Sequence, residues 1–125
     1  MITITVDDET FAMRCTVTFL SKDYSLIRLR CGGILYFEYF DRKIRIVTQE
    51  RDYICINEQI GDIAGRMKSY GFCMCHQSFV VNLYAIAGIG RQELIMKNGD
   101  TVYLAQKRAA IIRKELRSQR GKILI

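Results

Sequence analysis

Two hydrophobic periods share this chain, and the point where one gives way to the other constrains its fold most. Residues 34–40, 44–48 and 53–56 are short runs rich in aromatic and β-favouring side chains, separated by polar turns. That is the signature of antiparallel strands. From Asn57 the repeat lengthens, and Ile60, Ile63, Ala64 and Met67 recur at helical spacing. Asn57 is the candidate N-cap, Glu58 and Asp62 suit the positive end of the helix dipole, and Lys68 suits the negative end. Gly71 stands where a left-handed C-terminal residue is wanted. The pattern predicts one amphipathic helix over residues 58–70, set among short strands.

Upstream, residues 2–6 and 15–19 alternate apolar side chains with threonine. In 26–31 the odd positions face in, while Arg28 and Arg30 face out. Downstream, residues 71–83 read Gly-Phe-Cys-Met-Cys-His-Gln-Ser-Phe-Val-Val-Asn-Leu, so the polar triplet His76-Gln77-Ser78 stands between two apolar runs. Residues 84–90 suggest an irregular strand. Segments 93–97 and 100–104 flank Asn98-Gly99, a strong hairpin signal. A two-residue loop there pairs Ile95 with Val102 and Leu94 with Tyr103. Residues 107–117 return to helical period. The expected fold is mainly β: short antiparallel sheets in a meander, one helix at 58–70 and a short C-terminal helix at 107–117. A single domain spans 1–125, with 1–14 an N-terminal extension to which no role is assigned.

The net charge of +6 lies at one end. Residues 1–106 carry as many acids as bases, and the excess comes from Lys107, Arg108, Arg113, Lys114, Arg117, Arg120 and Lys122, against Glu115. A basic end on a neutral body points either to a polyanion such as nucleic acid or to a solubilising tail. No apolar run approaches the ~20 residues of a membrane span. The N-terminus lacks the pattern of a signal peptide, so the expected compartment is the cytoplasm. Five cysteines, an odd number, argue against a disulfide framework; each reads as a small buried hydrophobe.

Cys73-x-Cys75-His76 invites a metal or redox reading, with Cys55 as a further ligand, but no second ligand pair stands at a zinc-like separation. No metal and no cofactor are expected. Ser78 beside His76 lacks a third group or an oxyanion site, so no enzyme is expected either. Asn82 reads as a structural amide that satisfies backbone at a turn.

The order of elements and several motifs resemble the LytTR DNA-binding domain of bacterial response regulators. The match covers about 33–117: the strand at 34–38, the basic connection to 44–48, and the helix ending in Gly71-Phe72. It continues through His76-x-Ser78, Val81-Asn82-Leu83, Asn98-Gly99 and Lys107-Arg108. The resemblance implies that loops at one edge, not a recognition helix, enter successive major grooves of double-stranded DNA. Carried over, the first loop holds Arg42 and Lys43, with Arg45 just inside the strand. The second is His76, Gln77 and Ser78, and the third ends in Lys107 and Arg108. Many members carry Arg or Lys where this chain has Gln77, and Ser where it has Ala105 and Gln106. Glutamine suits adenine N6/N7, whereas arginine prefers guanine. The family's usual receiver domain is not expected here. The function implied is a sequence-specific transcription regulator acting as a homodimer or as paired copies on repeated half-sites. The alternative is a protein-interaction module that modulates a partner regulator without binding DNA.

Overall fold

The computed structural model of the protein describes residues 15–118 and, for the backbone alone, residues 3–6. In chain order the elements are β1 (Thr3–Val6), β2 (Cys15–Leu20), β3 (Leu26–Arg30), β4 (Ile34–Phe40), β5 (Lys43–Thr48) and β6 (Asp52–Cys55). Then follow α1 (Ile60–Met67), β7 (Phe72–His76), β8 (Phe79–Asn82), β9 (Ile86–Ile89), β10 (Glu93–Met96), β11 (Thr101–Tyr103) and α2 (Gln106–Ser118).

A central antiparallel sheet has the order β6-β5-β4-β8-β7. Its two faces carry separate cores because successive strand side chains point to opposite sides. On one face Ile34, Phe37, Ile44, Ile46 and Val80 pack against Val17 and Phe19 of β2 and Ile63 and Met67 of α1. On the other, Tyr36, Val47, Phe79 and Val81 meet Leu94, Met96 and Val102 of the β9–β11 sheet and Ile112 of α2. The β1-β2-β3 sheet and α1 therefore lie on one side of the central sheet, with β9–β11 and α2 on the other. The β7–β8 hairpin does not extend the meander past β6. It returns across α1 to pair β8 with β4.

The first core explains why 60–67 is helical. Ile63 and Met67 are buried, while Gly61, Asp62 and Arg66 face solvent. Truncating a residue like Ile63 to alanine should cost about 2–5 kcal/mol. The helix ends in a 3-10 turn at Lys68–Tyr70 and then Gly71, whose φ of 86° is the left-handed stop the sequence implies.

Three sequence expectations need correction. Asn57 does not cap α1. It has a φ of 63° and turns the chain after β6, and Gln59, with extended backbone, holds the N-cap position. The β10–β11 register is Leu94 with Val102 and Ile95 with Thr101, one residue from the expected pairing. The loop has three residues, with Gly99 alone at positive φ; Met96 donates its N–H to the Asp100 carbonyl at 2.8 Å. A type I′ turn would need both Asn98 and Gly99 at positive φ. Instead Asn98 Oδ1 accepts the Asp100 N–H at 3.0 Å, which favours the longer loop. Finally, Cys15 and Cys31 form a disulfide across the β2–β3 hairpin, with Cα atoms 5.4 Å apart. Antiparallel pairing brings them opposite each other, next to the Thr16–Arg30 pair.

Candidate nucleic-acid interface

Strand direction decides where the candidate loops lie. β4 and β7 run toward one end of the central sheet, and their antiparallel partners β5 and β8 start from that end. The β4–β5 turn at Asp41-Arg42 and the β7–β8 turn at Gln77-Ser78 are therefore neighbours. A hydrogen bond from Tyr39 N–H to the Ser78 carbonyl, at 2.8 Å, ties them together. The third segment joins through a bulge in β7. Met74 pairs with Val80 and His76 with Phe79, leaving Cys75 extra. An extra strand residue is left without a ladder partner. Here its carbonyl accepts the Ala105 N–H at 2.8 Å, which docks the start of α2 beside His76. The Cys75 thiol donates to the Tyr103 carbonyl at 3.2 Å. All three predicted loops thus lie along one end of the molecule.

In the first loop Asp41 and Arg42 both have positive φ, 52° and 63°, between the paired Phe40 and Lys43. This is the two-residue type I′ geometry that matches strand twist. Arg42 is exposed. Lys43 Nζ lies 3.6 Å from Asp41, in a pair open to solvent and therefore weak. Arg45 is placed differently. Its guanidinium bonds Glu38 and, at 3.1 Å, Asp52, so it braces β4, β5 and β6. Partial burial works against its charge, but Glu38 more than offsets that and raises its pKa.

In the second loop His76 is held from two sides. Its Nδ1 accepts the Ser78 N–H at 3.1 Å, so in the neutral ring the proton sits on Nε2 as a free donor. Its ring packs against Phe79 and Tyr103, with centroids 5.9 and 5.8 Å away. Gln77 is exposed and Ser78 half-buried. In the third segment Lys107 is exposed, while Arg108 is half-buried on the side of α2 that faces the cysteines of β7. No acid stands in the first turn of α2. Two cations at a helix N-terminus are unfavourable unless an anion is near.

Tyr103 belongs to this surface and was missed in the sequence. The expected register placed it opposite Leu94, which is buried. The actual register leaves it 67% exposed, against His76. Asp100 following Asn98-Gly99 was the available signal, because an Asn side chain can bond the backbone two residues on. Phe40 and Tyr39 are also partly exposed beside the first loop.

Cys55 and Cys75 are buried, and Cys73 is half-buried. Burial pushes the Cys75 thiol up to about 12, so it stays protonated and weakly reactive. Asn82 is buried; its Nδ2 donates to the Ile34 carbonyl at 2.9 Å and its Oδ1 accepts the Tyr84 N–H at 3.0 Å, the structural role its sequence position implies. Among the described residues no helix is long and apolar enough to cross a membrane.

The model of the LytTr DNA-binding domain family matches residues 24–117. Among solved structures, the chain is similar to the LytTr DNA-binding domain of a protein from Bacillus cereus described as a methyl-accepting/DNA response regulator. The TM-score is 0.69 at 26% identity, over 81% of this chain and 95% of that one. No curated protein matches it.

Proposed function

This chain belongs to the LytTR family of DNA-binding domains, and from that premise we propose that it is a transcription regulator that reads the major groove sequence-specifically through its end loops. The observation that carries this reading is the alignment of Arg42, His76-Gln77-Ser78 and Lys107 along one end of the central sheet. Those side chains come from three segments, and Arg42, Gln77 and Lys107 among them are exposed. Arg42, Lys43, Ser78 and Arg108 contact phosphates and set the register. Gln77 reads a base through its amide, and His76 offers Nε2–H to a base acceptor or a phosphate oxygen. Lys107 stands at the groove edge. Arg45 works indirectly, by fixing the strand that carries Lys43.

The test is selection of bound duplexes from a random pool. A recovered consensus, with binding that weakens as salt rises, supports the reading. Retention of all sequences alike leaves only nonspecific binding. No retention at low salt favours the alternative of a module that modulates a partner regulator.

A further inference from the structure

We propose that Arg91 and Arg113 form a phosphate-binding cleft that extends the DNA contact past the third loop. This rests on the DNA-binding reading above and adds a site to it. β9 runs toward the contact end: Ile89 pairs with Leu94 near the start of β10, where Glu93 pairs with Tyr103, the ring that packs on His76. The turn after it, residues 90–92, therefore lies at the same end as the other loops. The Leu104 N–H donates to the Gln92 carbonyl at 3.0 Å, which fastens this turn to the segment leading into α2.

Between turn and helix lies an open cleft walled by Arg91, Gln92, Gln106 and Arg113, with Ala109 and Ala110 as its floor. Gln106, Ala109, Ala110 and Arg113 are spaced three, four and seven along α2, so they share one face. The alanines leave room for a ligand to approach the helix, and the walls supply forked arginine donors and amides. That set suits two neighbouring backbone phosphates, one for each arginine, which binds phosphate in bidentate fashion. Among the described residues neither arginine has an acidic partner within ion-pair distance. Glu93 is the one acid in the lining, and its Cγ lies over Gly90, 3.5 Å from where a Cβ there would stand. Lys107 and Arg108 lie outside the lining, on other faces of α2.

The experiment measures binding of the full chain to the selected duplex, and to an unrelated one of equal length, across a salt series. In Arg91→Ala/Arg113→Ala the slope of log affinity against log salt should shrink by about 1.8, at about 0.9 per lost phosphate contact. The loss should be equal on both duplexes, and Arg91→Lys/Arg113→Lys should restore most of it. Glu93→Gln should tighten binding on both. Circular dichroism checks that the variants fold. A parent chain that binds, with an unchanged slope in the double alanine variant, overturns the cleft alone. A changed base preference in that variant also overturns it. A parent that does not bind duplex at all overturns the DNA reading, and the cleft with it.

Discussion

Arg42 holds a backbone conformation that its side chain does not favour. Its φ of 63° lies in the left-handed region, which costs a residue with a Cβ about 1 kcal/mol or more relative to the right-handed one. Asparagine or glycine would fill this turn more cheaply. An exposed arginine in that conformation fits the phosphate contact proposed for it. Arg42→Gly should therefore leave unfolding free energy unchanged or raise it by up to ~1 kcal/mol. It should also weaken duplex binding and reduce the salt slope by about 0.9. Chemical denaturation and a salt titration check the two halves, and a marked loss of stability would mean that the side chain braces the hairpin instead. Gln77 carries a different expectation, because it is exposed in the middle loop between a pinned histidine and a half-buried serine. Gln77→Arg should shift the preference at one base pair from adenine toward guanine, by about 1–3 kcal/mol. Competition between duplexes differing at that pair measures it; an equal change on every duplex would make Gln77 a positioning group.

Gly71 shows how one element boundary supports the contact end from a distance. Its φ is 86°, a Cβ would stand 2.6 Å from Cε2 of Tyr84, and its carbonyl accepts the Leu83 N–H at 2.9 Å. The left-handed backbone is unfavourable for any residue with a Cβ, whatever the ring does. Gly71→Ala should thus lower stability by about 1–2 kcal/mol, seen as a lower urea midpoint with an unchanged m-value. Binding by the folded fraction should persist, since Gly71 lies at the opposite end of β7 from His76. This stop was legible in the sequence, as were α1, the strands on either side of it and the polar triplet, because each depends on a local period or on one special residue. Less local features were not. The Leu94–Val102 register depends on whether the Asn98-Gly99 loop has two residues or three, and a shift of one moves Tyr103 from a buried face to the contact surface. The bulge at Cys75 is set by the demand of Ala105 for an acceptor, thirty residues on. The Cys15–Cys31 bond depends on pairing β2 with β3, which cysteine counting cannot reveal.

The whole molecule presents one narrow end to its target. The five strands of the central sheet, spaced about 4.8 Å apart, span on the order of 20 Å at that end, less than the ~34 Å of one duplex turn. A single copy therefore meets few base pairs. With His76, Gln77 and Lys107 as its candidate readers, at about 1–3 kcal/mol per good contact, one copy reaches only part of the ~4–10 kcal/mol that separates specific from nonspecific binding. On the proposed reading, two copies on repeated half-sites are expected to supply the rest. The geometry of DNA makes this testable without knowing how the copies touch. Half-sites one turn apart, about 10 base pairs centre to centre, face the same side of the duplex, whereas a further ~5 base pairs turns the second to the opposite side. Titration of duplexes with two consensus half-sites should give cooperative binding by two copies at the full-turn spacing. At the half-turn spacing each site should bind with the affinity of an isolated one. Equal affinity at both spacings, with one copy bound per site, would mean that each copy acts alone. The basic segment beginning at Lys107 and the Arg91–Arg113 cleft would then have to supply, through phosphates, what a second copy does not.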